Sequence, residues 1–313
     1  MLTMNKILSI TAALTLAFAM SSCRSDDEPA SAPASLVLMA TVYDIDAESS
    51  SVWHSGQVFG VYMLAGDNSP VASNVRHIAD DRGVTGYLVP SGDALRLPAD
   101  GSPTSVAAYY PYDEAAVSRN HQTTISVREG TAADACLWAS VSNVAAANPK
   151  ATLGFKSQLA QIHVRLLNDD PAVARIVARI SGAPRSCDFD ILSGRYTGTP
   201  DCGSPIGATV KNLERSFDLT AVVAATHSAP DGPVLEITAL DNSGRELRTY
   251  PPVALGTLMG LENGRTFEPN TVYNLAGNLA ADDLKIQFTG KSPICILSWS
   301  DDPDEEFGTI IKK

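Results

Sequence analysis

The sequence predicts an all-β chain arranged as two β-sandwiches in tandem. Three observations carry this. Short β-type runs recur along the chain, separated by clusters of Gly, Pro, Asn and Asp. In the second half, apolar and polar residues alternate strictly, as an antiparallel sheet packed on one face requires. Composition agrees: 44% hydrophobic and 19% charged residues give a globular core, and no long helical pattern competes.

The leader comes first. Asn5 and Lys6 precede an apolar run, Ile7 to Met20, and then Ser21-Ser22-Cys23. The run is too short to cross ~30 Å of hydrocarbon, so residues 1–22 read as a secretory signal peptide. The small residues ending on Cys23 resemble a bacterial lipobox, in which the cysteine is acylated and becomes the first residue. A plain secretory signal with an incidental cysteine is the alternative. Ser25, Asp26, Asp27 and Glu28 follow, resembling the surface-export signal of Bacteroidota-type lipoproteins. Residues 23–35 then read as a lipidated linker, closed by a tract of Ala, Ser and Pro.

The first sandwich is expected over residues 36–168. Leu36–Tyr43 is a strand apolar on both faces, so it belongs between layers or in a groove. Asp44–Ser51 is an acidic loop, and Val58–Leu64 a second strand entered through Gly56. Further β-type runs lie near Val84–Val89, Val106–Tyr110 and Thr123–Val127. The alanine-rich stretch Thr131–Ala147 favours helix by propensity.

The clearest alternation lies further on. Ile162, Val164 and Leu166 alternate with Gln161, His163 and Arg165. Ile176, Ala178 and Ile180 alternate with Arg175, Val177 and Arg179. The same holds for Leu235, Ile237 and Ala239, and for Leu284, Ile286 and Phe288. Asn168-Asp169-Asp170-Pro171 is the expected junction, with the second sandwich over residues 169–313. No internal repeat stands out in the sequence.

A net charge of −12 argues against nucleic acid as a partner. Beyond Cys23 there are four cysteines: Cys136, Cys187, Cys202 and Cys295. None forms a C-x-x-C pair. In an exported chain Cys187 and Cys202 either form a disulfide or remain buried thiols.

Several segments together resemble the fimbrillin family of FimA-like and Mfa-like surface lipoproteins. Trp53, Gly56 and Phe59-Gly60-Val61-Tyr62 resemble its opening segment, with Gln57 where Asp is usual. Val106–Tyr112, Asp134–Ala139 and Leu153–Leu166 resemble three later strands, although Lys156-Ser157 departs from the family pattern around its usual His. Phe189-Asp190-Ile191 with Gly194, Phe267-Glu268-Pro269-Asn270 with Tyr273, and Trp299 resemble its second half. The resemblance implies two tandem transthyretin-like β-sandwiches. It also implies a place at the outer membrane in a fimbrium, with other fimbrial subunits as partners and a host or bacterial surface ligand.

Assembly in that family is by strand donation, which rests on the needs of an unpaired sheet edge. Leu36, Leu38, Ala40 and Val42 in the first strand are candidates for exchange, as are Ile294, Ile296 and Trp299 near the C-terminus. A central core strand is the other reading of each. In polymerising members an Arg-specific cut after the first strand frees it. Here no Lys or Arg lies between Leu36 and Asn74, so either another protease acts or the chain keeps its first strand and its lipid. The second outcome, which the sequence favours, implies an anchor-like or terminal subunit.

Catalytic and metal chemistry are not indicated, and no cofactor is. Gly290-Lys291-Ser292 lacks the first glycine of a phosphate loop. Asp44, Asp46 and Glu48 have calcium-ligand spacing, but Ser49 occupies the position of the sharp-turn glycine. The five histidines form no metal or catalytic motif. The expectation is therefore a non-enzymatic fimbrial subunit, or an anchor or tip protein, that supports adhesion. The alternative is a monomeric glycan-binding surface lipoprotein.

Overall fold

The computed structural model describes residues 33–42, 56–80, 86–127, 136–212, 215–262 and 265–294. Seven strands close into a barrel in the order β1-β4-β3-β2-β5-β7-β8. They are β1 (Val37–Val42), β2 (Val58–Leu64), β3 (Pro70–Asp80), β4 (Gly86–Pro90), β5 (Thr104–Tyr110), β7 (Leu137–Val144) and β8 (Lys150–Ser157). Phe59, Val61, Leu97, Val106, Leu153 and Phe155 fill its core. The alanine-rich stretch expected to be helical is β7 where it is described. There Leu137 and Ala139 face the core and Ser140 faces out, so tertiary pairing overrides alanine's helix propensity.

The second half stacks two sheets. One is β14-β9-β18-β19, from β9 (Leu159–Asn168), β14 (Ser216–Ala224), β18 (Thr271–Leu279) and β19 (Leu284–Pro293). The other is β13-β10-β15-β16, from β10 (Arg175–Ser181), β13 (Ile206–Lys211), β15 (Val234–Leu240) and β16 (Glu246–Thr249). The short β17 (Val253–Ala254) also pairs with β15, and a single helical turn, α1 (Leu255–Met259), follows it. Ile162, Val164 and Leu166, with Ile176, Ala178 and Ile180, are at most 1% exposed. Arg165 and Arg179 face out, as alternation requires. Leu284, Ile286 and Phe288 are only half-buried, because β19 is the last strand of its sheet.

The expected junction, Asn168–Pro171, lies in the turn between β9 and β10. β9 pairs with β14 and β18, and its inward residues belong to the second core. The crossing from barrel to sandwich therefore falls between β8 and β9, at Gln158. Asn168 instead closes the β9–β10 turn, where its side-chain amide donates to the Val173 carbonyl at 2.9 Å. A polar cluster marks a turn, and nothing local in it says whether that turn lies within a sandwich or between two.

The two halves share one topology. β4-β1-β8 corresponds to β14-β9-β18, and β3-β2-β5-β7 to β13-β10-β15-β16. β1 runs parallel to β8 and antiparallel to β4, as β9 runs parallel to β18 and antiparallel to β14. In the first half the layers also pair with each other, β3 with β4 and β7 with β8, which closes the barrel.

A third, three-stranded sheet joins the halves. β6 (Gln122–Ser126) leaves the barrel and pairs with β11 (Ser186–Asp190), which pairs with β12 (Arg195–Asp201). Its apolar face covers Tyr62, Tyr109, Phe189 and Ile191. Cys136, Cys187 and Cys202 are free thiols; Cys136 and Cys187 are buried in this region, and burial pushes both thiols up.

Candidate strand-exchange site

β1 closes the barrel. Along β8 it pairs in parallel over six residues, from Val37 opposite Lys150 to Val42 opposite Phe155. Along β4, among the described residues, Leu38 pairs with Leu88, Met39 with Tyr87, and Ala40 with Gly86; residues 81–85, which precede Gly86, lie outside the described residues. Below Leu38 the two strands part. Leu36 donates its N–H to the Leu95 carbonyl at 2.8 Å, and Leu97 donates to Ala34 at 3.0 Å. A cleft of about 260 Å³ opens between Leu36–Leu38 and Tyr87–Pro90. In the second half β9, which has the corresponding place, makes nine pairs on each side.

The side chains of β1 alternate in depth. Leu36, Leu38 and Ala40 point into the core at 9%, 2% and 0% exposure. Val37 and Met39 lie half-buried on the outer face beside Tyr87 and Val89, which are exposed. β1 is thus a core strand with apolar residues on both faces. Val42 is described through its backbone pairing alone. Ile294 is buried at the end of β19 and donates its N–H to Asn270 at 3.1 Å. Cys23, Ser25, Asp26, Asp27, Glu28, Ile296 and Trp299 lie outside the described residues, as do Trp53, the Asp44–Ser55 loop and Phe307–Ile311.

The remaining sequence motifs turn out to be scaffold. Gly60 leaves room for the Tyr109 ring, which a Cβ there would meet at 2.1 Å. Tyr109 donates to the Asn74 side-chain oxygen at 2.9 Å and accepts from the Asp113 N–H at 3.0 Å. Asp113 caps the following 3-10 turn by accepting from Ala115 at 3.0 Å. Burial pushes the Tyr109 hydroxyl far up and that of Tyr62 up to about 12, so both stay neutral. In the second half the Tyr273 hydroxyl accepts from the Glu268 N–H at 2.9 Å, and its ring stands edge-on to Phe267. This network was not foreseen; the Gly60-Val61-Tyr62 and Tyr109-Tyr110-Pro111 groups were the available signal.

His77, His121, His163 and His227 lie on separate elements. Among the described residues no group of three or more His, Cys, Asp or Glu side chains is placed to hold a metal ion. Among the described residues the site thus comes down to a closing strand with apolar residues on both faces and a cleft at its side.

The fold defines an all-β protein of paired and stacked sheets, and the comparisons narrow the class. The fimbrillin-like family profile matches residues 46–289, and the chain belongs to that family. A candidate fimbrium subunit of Bacteroides uniformis, Fim1C, is 24% identical over 150 residues, covering 45% of this chain and 50% of that one. The chain thus aligns with about half of that relative's length. Two solved structures of candidate cell-adhesion proteins share the fold. The one from Bacteroides uniformis has a TM-score of 0.63 at 17% identity, covering 85% of this chain and 99% of that one. The one from Bacteroides ovatus has a TM-score of 0.61 at 14% identity, covering 84% and 98%.

Proposed function

We propose that this chain is a cell-surface fimbrial subunit that supports adhesion and joins its neighbours by exchange of β1. The observation that carries the reading is that β1 closes the barrel with apolar residues on both faces, beside an open cleft against β4. β1 is also the first of the described strands, so it can leave without unthreading any other of them. Its departure exposes two strand edges and the sites of Leu36, Leu38 and Ala40, which an incoming strand would fill. Membership of the fimbrillin-like family supports assembly with other subunits.

The rest of the reading concerns placement. Cys23 carries lipid, Ser25–Glu28 direct the chain to the outer surface, and the two halves act as tandem domains meeting at Gln158. Because no Lys or Arg lies between Leu36 and Asn74, β1 is displaced without an Arg-specific cut. The chain therefore keeps its lipid, which suits a subunit at the membrane end of an assembly. A cysteine pair at Met39 and Tyr87, which are direct partners, tests the exchange. Locking β1 by Met39→Cys with Tyr87→Cys should abolish heat-sensitive oligomer ladders, and reductant should restore them. Ladders that persist in the oxidised, locked protein would overturn the reading.

A further inference from the structure

We infer that the free edge of β19 joins two copies of this chain as antiparallel strands about a two-fold axis, independently of β1. β19 stands beside β18 as β7 stands beside β8. β7 goes on to pair with β5, whereas β19, among the described residues, pairs with β18 alone. Its other edge therefore offers backbone groups to an added strand. The hairpin fixes which groups these are. Ala280 donates its N–H to the Asp283 carbonyl at 2.9 Å, closing the turn into β19. Bonded and non-bonded pairs alternate from there, so Leu284, Ile286 and Phe288 turn their N–H and C=O groups outward. Their side chains form the half-buried row against the second core. Lys285 and Gln287 turn their backbones to β18 and expose their side chains. Beyond Phe288 the ladder shifts register, and Gly290 has φ +137°. The regular edge is thus Leu284–Phe288.

This stretch reads alike in both directions, apolar at Leu284, Ile286 and Phe288 and polar at Lys285 and Gln287. A two-fold axis at Ile286 sets Leu284 against Phe288 of the second copy, and Ile286 against its own counterpart. Each strand then covers the half-buried apolar row of the other, a self-complementary contact of the kind a symmetric dimer needs. Charge favours the same axis. Lys285 meets the neutral Gln287 of the second copy, and Asp283 of its own chain lies 3.3 Å from its ammonium. An axis at Lys285 would instead set two ammonium groups directly opposite each other. An axis at Gln287 would run Leu284 against Gly290, into the irregular end of the strand.

The test follows self-association of the full chain in detergent, with β1 locked by Met39→Cys and Tyr87→Cys so that exchange cannot contribute. The locked protein should still form dimers. Gln287→Lys should weaken them about tenfold, since the contact with Lys285 occurs twice, and Gln287→Glu should tighten them. High salt should bring the two variants together. Gln287 is exposed, so both variants should unfold at the same urea concentration as the parent. Equal dimer affinities in the two variants would overturn the edge pairing and leave the β1 reading standing. A locked parent that stays monomeric would overturn it too. Geometry is read separately by disulfide trapping. Chains carrying Lys285→Cys should cross-link to chains carrying Gln287→Cys more readily than either links to itself. Preferential self-linking of Lys285→Cys would contradict the axis at Ile286.

Discussion

The indole of Trp138, on β7, donates its N–H to the Ile191 carbonyl at 2.8 Å and lies against Gly194, where an added Cβ would meet the ring at 2.5 Å. Gly194 has φ +66°, a conformation that suits glycine. The turn between β11 and β12 is thereby fastened to the barrel. Two motifs more than fifty residues apart thus prove to be the halves of one contact.

Gly194→Ala should destabilise the protein by about 2 kcal/mol or more, combining backbone strain with a clash against a rigid ring. Trp138→Phe should cost about 1–2 kcal/mol, chiefly from leaving the Ile191 carbonyl without its donor. Urea unfolding measures both. Wild-type stability in Gly194→Ala would show that the turn is not held as described.

The register of β9 makes the second prediction. Val164 is 1% exposed, whereas Arg165 points outward, 3.9 Å from the exposed Asp218. Val164→Ala should cost about 1 kcal/mol or more through lost burial and a cavity. Arg165→Ala should stay within about 0.5 kcal/mol, since exposed ion pairs contribute little. The opposite order in denaturant melts would contradict the register.

How much of this was legible follows from the physics of each signal. Alternation in β9, β10 and β15 is local, so Ile162, Ile176 and Leu235 could be placed in a core before any partner was known. Pairing across long separations is not local. β6 reads as a weak polar strand, and its five-residue pairing with β11, with the bond from Thr124 to Asp188 at 2.8 Å, carries it to the other half. The shared topology of the halves was hidden for a similar reason: strand order is conserved between them without a matching residue pattern. The apolar character of both faces of β1 was visible in Leu36–Val42. The cleft beside it depends on where Leu95 and Leu97 return, which no local pattern encodes.

His77 supplies a pH prediction. It is 2% exposed, and burial lowers its pKa below the ordinary histidine value, opposed by a hydrogen bond to the Val75 carbonyl at 2.9 Å. The unfolded chain therefore takes up a proton at a higher pH than the folded one. The stability tied to the neutral ring is present above about pH 6.5 and declines as the pH falls below it, with a slope of at most about 1.4 kcal/mol per pH unit. His77→Leu should remove that component, so its stability relative to the parent should improve from pH 7.5 to pH 5. Parallel curves for the two proteins would refute the assignment.

The anchor is tested at the leader. Cys23→Ala should release the chain from membranes or leave an unprocessed precursor, and an unchanged membrane fraction would contradict lipidation. Replacing Asp26, Asp27 and Glu28 with Ala should hide the protein from added protease on intact cells. Undiminished protease access would contradict the export signal.

Assembly by exchange of β1 requires that β1 open while the second core stays intact, and hydrogen exchange measures this most directly. β1 borders an open cleft along β4, while β9 has nine pairs on each side. Amides of residues 37–42 should exchange at least about 100-fold faster than those of residues 160–167, through an opening that leaves the second core intact. Equal protection of the two strands, lost together only on global unfolding, would contradict exchange of β1 as the means of assembly.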